Sequence, residues 1–231
     1  MPPSTDWPAH LPAIEVLGED ALLLRFGDAI DADCNARVHQ WARRIERSRP
    51  SWLRDIVPAY ASLALFIDMA AFPHATDALA EATRWLGRLH GAQETQTGSG
   101  RAIEIPVQYG GTYGPDLGAL AAHAGLTPGE AVARHTAAEY TVAMLGFAPG
   151  FPYLLGLDPV LTMPRLSTPR TQVAAGSVGI GGAQTGIYPR RGPGGWQLIG
   201  RTHVTLFDPA RDPPSLLAPG DHVRFVAIEA T

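Results

Sequence analysis

The 231-residue chain contains no lysine, and all 18 of its basic residues are arginine. Without a lysine amine this chain forms no Schiff base, carries no biotin, and builds no Walker-type phosphate loop. A single cysteine, Cys34, excludes an intrachain disulfide and any multi-cysteine metal site. Charge is sparse as well: 17% charged residues and a net charge of -4 leave no basic tract to neutralise phosphates. Nucleic acid and anionic membrane surfaces are therefore poor partners. No stretch approaches the ~20 apolar residues of a membrane span, and the opening residues lack the basic-then-apolar pattern of a secretory leader. A cytoplasmic protein is expected. The hydrophobic fraction of 45% is ample for a packed core, and 231 residues suit two modest domains better than one.

Glycine is scarce at first: residues 1–97 hold four of the 25. The polar segment 93–100 reads as a linker, which places domains at 1–97 and 98–231. In the first, strand-like runs at 13–16 and 21–26 meet at Gly18-Glu19-Asp20. Cys34, Val38, Trp41 and Ile45 recur at helical spacing within 31–47. Strands follow at 52–57 and 62–67, then a helix opening near Pro73 and carrying Leu79, Ala82, Leu86 and Leu89. With 103–107 as a closing strand, the order becomes the split-βαβ, ferredoxin-like plan. In the second domain, helices over 115–124 and 128–138, the latter capped by Thr127, precede short strand-like runs at 140–145, 176–180, 196–199, 204–207 and 222–228. Glycine and proline turns separate these runs, as in a closed barrel. The expected class is α+β, a ferredoxin-like α/β domain followed by a compact β-barrel.

The densest glycine and proline content lies between Leu145 and Arg201. Loops specified by such residues are rigid. Phe147, Pro149, Phe151 and Tyr153, with Gly194, Gly195 and Trp196, are the candidates for a pocket wall or a subunit interface. Arg165, Arg170, Arg190, Arg191 and Arg201 flank the turns, and guanidinium forks suit a carboxylate or a phosphate. With Gln184 and Tyr188 they form a candidate anion or substrate site: each arginine taken singly reads first as a solvated loop residue or an interface ion-pair partner, and the group as placing one or two in a pocket. Gly176 to Gly186 lacks the GxxxxGK[ST] pattern, and Ser177 does not sit in a GxSxG elbow. The eight histidines form no HxxxH or HxH pair, so no metal-binding motif is expected. His135 and Glu139 lie four apart at a helix end, a candidate acid–base pair or an ordinary helix-terminus contact.

The run Gly146-Phe147-Ala148-Pro149-Gly150-Phe151-Pro152-Tyr153-Leu154 resembles the bacterial allophanate hydrolase subunit 1 (KipI-like) family, which includes one component of the ATP-dependent 5-oxoprolinase, its B subunit. The same resemblance rests on the pairs Pro164-Arg165 and Pro169-Arg170, Gly176-Ser177-Val178, Gln184 to Tyr188 and Pro193-Gly194-Gly195-Trp196. It extends more weakly over Gly114-Pro115-Asp116-Leu117, His135 and Pro219-Gly220-Asp221. It implies a cyclophilin-like barrel, and a subunit paired with a related barrel protein (allophanate hydrolase subunit 2, KipA-like) and with a third, LamB/YcsF-like 5-oxoprolinase subunit. The implied activity is the ATP-dependent opening of a small lactam, 5-oxoproline, to glutamate, with the ATP site on a partner and no activity in this chain alone. Two other implied roles are inhibition of a sensor histidine kinase and service as half of a urea-type carboxyltransferase with biotin borne elsewhere.

Overall fold

The computed structural model describes residues 12–72, 77–89 and 100–229. The chain divides into two compact units, Met1–Gly98 and Ser99–Thr231. The proposed linker, apart from Gly100, and the helix opening near Pro73 lie outside the described residues.

In the first unit, β1 (Ala13–Val16) and β2 (Ala21–Arg25) form the hairpin, followed by α1 (Ala32–Arg47), β3 (Leu53–Pro58), β4 (Ser62–Ile67) and α2 (Ala78–Leu89). The helix α1 starts where Asp31 accepts a hydrogen bond from the Cys34 amide at 2.8 Å, satisfying one of the amides a helix start leaves without a partner. Its Val38, Trp41 and Ile45 are buried with Leu22, Leu24, Leu63, Leu65 and Ile67 of the sheet. Strand β4 alternates strictly, with Leu63, Leu65 and Ile67 facing inward. Cys34 packs at this core, where burial raises its thiol pKa. The sheet order is β1-β2-β4-β3 and every pair is antiparallel. Strands β2 and β3 thus both run opposite to β4 between them, parallel to one another, and are joined by α1: a split βαβ unit. The segment 103–107, read above as the closing strand of this unit, belongs to the second one. It pairs in parallel with a strand near the end of the chain, Val223 to Ala227.

The second unit begins with that segment, β5 (Ala102–Tyr109), then α3 (Leu117–Ala124) and α4 (Pro128–Ala137). Thr127 and Glu130 close a reciprocal capping box at the start of α4. The remaining strands follow: β6 (Tyr140–Leu145), β7 (Pro152–Leu155), β8 (Arg170–Val173), β9 (Ser177–Gly181), β10 (Gln184–Ile187), β11 (Gly192–Gly194), β12 (Gln197–Arg201) and β13 (His222–Ala227). Seven strands close into a barrel in the order β10-β7-β6-β13-β5-β12-β9, sealed by β9 against β10. All neighbours are antiparallel except β5 and β13, whose six paired positions run parallel from Ala102 with His222 to Val107 with Ala227. The interior is filled by Ile105, Val107, Tyr140, Val142, Leu154, Val178, Ile180, Ile199, Val223 and Phe225. Outside the ring, β8 pairs with β11 alone. This is a mixed α/β chain with a closed barrel, as expected, and the barrel fits the cyclophilin-like reading.

The strand expected at 204–207 does not form. Leu206 is buried in the core, but the only strand-type contact of this segment is the isolated bridge from Phe207 to Ser215. Pro213 and Pro214 interrupt the returning chain, and neither has an amide proton to extend a ladder.

The parallel pair is clasped at its start. Asp221, 4% exposed, accepts hydrogen bonds from the Arg101 amide at 3.1 Å, from Arg101 Nε at 3.2 Å and Nη2 at 2.5 Å, and from the Ala218 amide at 2.8 Å. Replacement of Asp221 by alanine removes a buried carboxylate that gathers four hydrogen bonds between the two ends of this unit, some of them charge-assisted. Asp221→Ala is expected to destabilise the protein by about 1–3 kcal/mol, read as a lower urea midpoint with unchanged slope.

Candidate functional site

Beside the main barrel core sits a smaller cluster of Phe151, Val173, Tyr188, Trp196 and Leu198, with Ala148 and Tyr153 packed against it. Phe151 is its hub, with ring centroids 4.9 Å from Tyr153, 5.3 Å from Tyr188 and 5.5 Å from Trp196, all edge-to-face. Such contacts favour fixed ring orientations, at about 0.5–1.5 kcal/mol each beyond burial. The sequence makes room for the indole by omitting side chains beneath it. A Cβ on Gly181 would lie 2.6 Å from Trp196 Nε1, and one on Gly194 would lie 2.4 Å from the Tyr188 hydroxyl oxygen. Both clash with rigid rings.

Phe151, Tyr153, Tyr188 and Trp196 of this cluster, with Gly194, line a cleft of about 170 Å³. Of the residues singled out from sequence, the structure brings Phe147, Phe151, Tyr153 and Trp196 together in it with Arg165, Tyr188, Gly194 and Gly195. Leu166 and Pro169 complete the lining. Sequence reading passed over both as sites, although Leu166 follows one of the Pro-Arg pairs and Pro169 belongs to the other. Arg165 is exposed, and its guanidinium stands over the Trp196 ring at 5.6 Å. Burial raises the Tyr188 phenol pKa, opposed by the Trp196 amide and by the charges of Arg165 and Arg170.

Phe147 has the only positive φ of any described non-glycine residue, 66°. The Ala148 amide donates to the Gly146 carbonyl at 2.7 Å across it, and the Gly146 amide to the Phe151 carbonyl at 3.1 Å. A three-residue turn with positive φ at its centre is rare and strained. Phe147 is 64% exposed at the cleft. Pro149, also exposed, lies in the same turn without lining the cleft.

The other arginines have different occupations. Arg170 Nη2 donates to Asp116 Oδ1 at 2.7 Å, and Asp116 Oδ2 accepts the Leu198 amide at 2.6 Å. Arg170 Nη1 reaches the Trp196 carbonyl at 3.4 Å. Arg170, expected among the anion-binding arginines, is thus neutralised and ties down the backbone at Trp196; Asp116, which made this possible, was not singled out as a site. Arg201 donates from Nε to the Ala175 carbonyl at 2.8 Å and lines a separate, wider cleft of about 460 Å³ with Arg191, which bonds to Gln172. Arg190 is exposed and lines neither cleft, and Gln184 is buried in β10.

His135 and Glu139 are not a pair. Glu139 is exposed and contacts His222 Nδ1 at 3.2 Å, whereas His135 is 1% exposed in the barrel core. There Thr185 Oγ1 donates its one proton to the Gly179 carbonyl at 3.0 Å. It must therefore accept from His135 Nε2, 3.1 Å away, which leaves Nδ1 to accept from the Tyr109 hydroxyl at 2.8 Å. This chain of bonds assigns the neutral Nε2–H tautomer, and burial drives the His135 pKa down to about 3. The same burial pushes the Tyr109 phenol up.

The barrel unit thus carries an aromatic cleft beside its core and a buried histidine held in its neutral form. Residues 12–217 match the family model of the carboxyltransferase domain, subdomains C and D, and the chain belongs to that family. It is 44% identical over 221 residues to the Bacillus subtilis (strain 168) protein named as the B subunit of 5-oxoprolinase, covering 93% of this chain and 92% of that one. An Escherichia coli O157:H7 protein of the same name is 44% identical over 213 residues, covering 91% and 94% respectively. The solved structure of TTHA0988 superposes with a TM-score of 0.78 at 39% identity; it covers 92% of this chain, which spans 40% of that longer one.

Two outcomes follow from this geometry. Asp116→Ala removes the anchor of Arg170 and the acceptor of the Leu198 amide, and is expected to cost about 1–3 kcal/mol; it should also red-shift and broaden the tryptophan emission as Trp196 loosens. For His135, the depressed pKa means that its contribution is complete above the unfolded value of ~6.5 and is lost as pH falls from there toward about 3. Denaturant midpoints from pH 7 to pH 5 should therefore drop more steeply for the parent than for His135→Gln, by up to about 1.4 kcal/mol per pH unit.

Proposed function

We propose that this chain serves as the B subunit of a 5-oxoprolinase, a complex that opens 5-oxoproline to glutamate while converting ATP to ADP and phosphate. The observation that carries the reading is the agreement in name of two relatives, each 44% identical and matched over more than nine-tenths of both chains. The chemistry is consistent with a shared task. A lactam is a poor electrophile until its oxygen is activated, after which water adds to the ring carbon and the C–N bond opens. With no lysine and no phosphate-loop pattern, this chain is poorly equipped for the nucleotide. The ATP site is assigned to a partner, the related barrel subunit or the third subunit, and the chain alone is inactive. The first unit, with its split βαβ core, is read as a separate ferredoxin-like domain before the barrel.

The family model supports a second reading, half of a carboxyltransferase fed by biotin on another protein. Reconstitution separates the two. Purified with its co-encoded partners, the protein is expected to release glutamate from 5-oxoproline only when ATP is present, and this chain alone to release none. A complete complex that shows no such release, or that transfers carboxyl groups from carboxybiotin to a urea-type acceptor, would overturn the proposal.

A further inference from the structure

The aromatic cleft has a size that selects its occupant. At about 170 Å³ it equals five or six waters of liquid volume at ~30 Å³ each, and a cavity of ~150 Å³ is known to admit a benzene-sized ring. One small ring with one or two substituents fills such a space.

Its chemistry narrows the choice. Phe151, Tyr188 and Trp196 offer fixed aromatic walls to a flat group. Arg165 is the one arginine among its lining residues, and among the described residues no ion pair engages it. Held over the Trp196 ring at 5.6 Å, the guanidinium has N–H donors to offer a planar acceptor, and a carboxylate is the acceptor such a fork grips with two parallel bonds. The Tyr188 hydroxyl supplies a neutral donor suited to a carbonyl oxygen. Strain is retained at the cleft too, in the positive φ of Phe147, and strained residues persist at ligand clamps where the surroundings over-determine them.

We propose that this cleft binds the cyclic amide acid itself: the carboxylate on Arg165, the flat ring against the aromatic walls with its carbonyl toward Tyr188, and Phe147 flanking the mouth. The identity of the ligand rests on the 5-oxoprolinase reading; the class, a small cyclic carboxylic acid with a flat amide group, rests on the cleft.

Ligand-observed NMR and calorimetry on the full chain test it, with 5-oxoproline, its carboxylate-free analogue pyrrolidin-2-one, inorganic phosphate and ATP as probes. Expected are binding of 5-oxoproline and at least tenfold weaker binding of pyrrolidin-2-one. Arg165→Gln should weaken 5-oxoproline by about tenfold or more, the range of a charged hydrogen-bonded contact, and leave pyrrolidin-2-one unchanged. Phe147→Gly, which relieves the strained φ, should weaken both ligands without lowering the melting temperature. Because Arg165 is exposed, its replacement is a surface change, and equal melting curves confirm that the fold is kept. Equal affinity of parent and Arg165→Gln for 5-oxoproline would overturn the site, as would Arg165-dependent binding of phosphate or ATP in its place, or no 5-oxoproline binding by the chain or its assembled complex. A complex that opens 5-oxoproline with an unchanged KM in Arg165→Gln sinks the site and leaves the function standing. Arg165-dependent binding in a complex that opens no lactam upholds the site and sinks the function.

Discussion

The indole of Trp196 lies against barrel wall that has no side chains. It is 5% exposed, yet it packs with Phe151 and Tyr188 in a cluster separate from the barrel core, and a Cβ at Gly181 would strike its ring. Every other feature of the cleft is referred to this contact. Phe151 orders the neighbouring rings around it, the Arg165 guanidinium stands over it, and Asp116 with Arg170 fixes the backbone that follows it through the Trp196 carbonyl and the Leu198 amide. A side chain at Gly181 would displace the indole and with it the wall on which the guanidinium rests.

Two polar systems flank this platform, and each is settled in the way its surroundings demand. Inside the barrel, where an unpaired charge is far costlier than a neutral hydrogen bond, Tyr109, His135 and Thr185 form a neutral relay ending on the Gly179 carbonyl. Outside, charge is tolerated when paired: Asp116 neutralises Arg170 with side chains 14% and 29% exposed, and Asp221 neutralises Arg101. Subtracting these leaves Arg165 as the cation on the cleft, a distinction that exists only after folding.

That is why the site was half legible in the sequence. The aromatics and glycines announced themselves by density, and most of them converge. The arginines did not sort, because Pro164-Arg165 and Pro169-Arg170 look alike until Asp116, 54 residues upstream of Arg170, pairs with one of them. Helical spacing suggested a His135–Glu139 contact, but the barrel interior took the histidine and left the glutamate outside. The fold divides similarly. Strand β4 and the capped start of α4 were visible because each obeys a local rule, alternation of burial in one case and a Thr-x-x-Glu box in the other. Strand β10 was not, since Gln184 to Ile187 are all buried, and a strand covered on both sides loses its period of two. Strand β11, Gly-Pro-Gly, reads as a turn in any local window. The assignment of 103–107 to the wrong unit has the same origin: its partner is β13, and no short-range pattern encodes a parallel pairing at that distance.

On the proposed reading, size and charge also divide the labour of the complex. Holding a triphosphate takes several cations or a row of free amides, because three phosphates carry more charge than one guanidinium offsets. The aromatic cleft provides one arginine in about 170 Å³. The wider cleft holds two, but Arg201 is engaged by the Ala175 carbonyl and Arg191 by Gln172. On this reading the nucleotide belongs to neither, and the first takes the ring bearing one carboxylate. The chain's contribution then falls on the lactam side of the reaction: it fixes the ring by its charge and its faces, so that the carbonyl meets a phosphate donor and a water that other subunits present. Orientation of this kind lowers a barrier only when the second reactant is also held, which is the physical reason for a component that binds its substrate and does nothing to it alone.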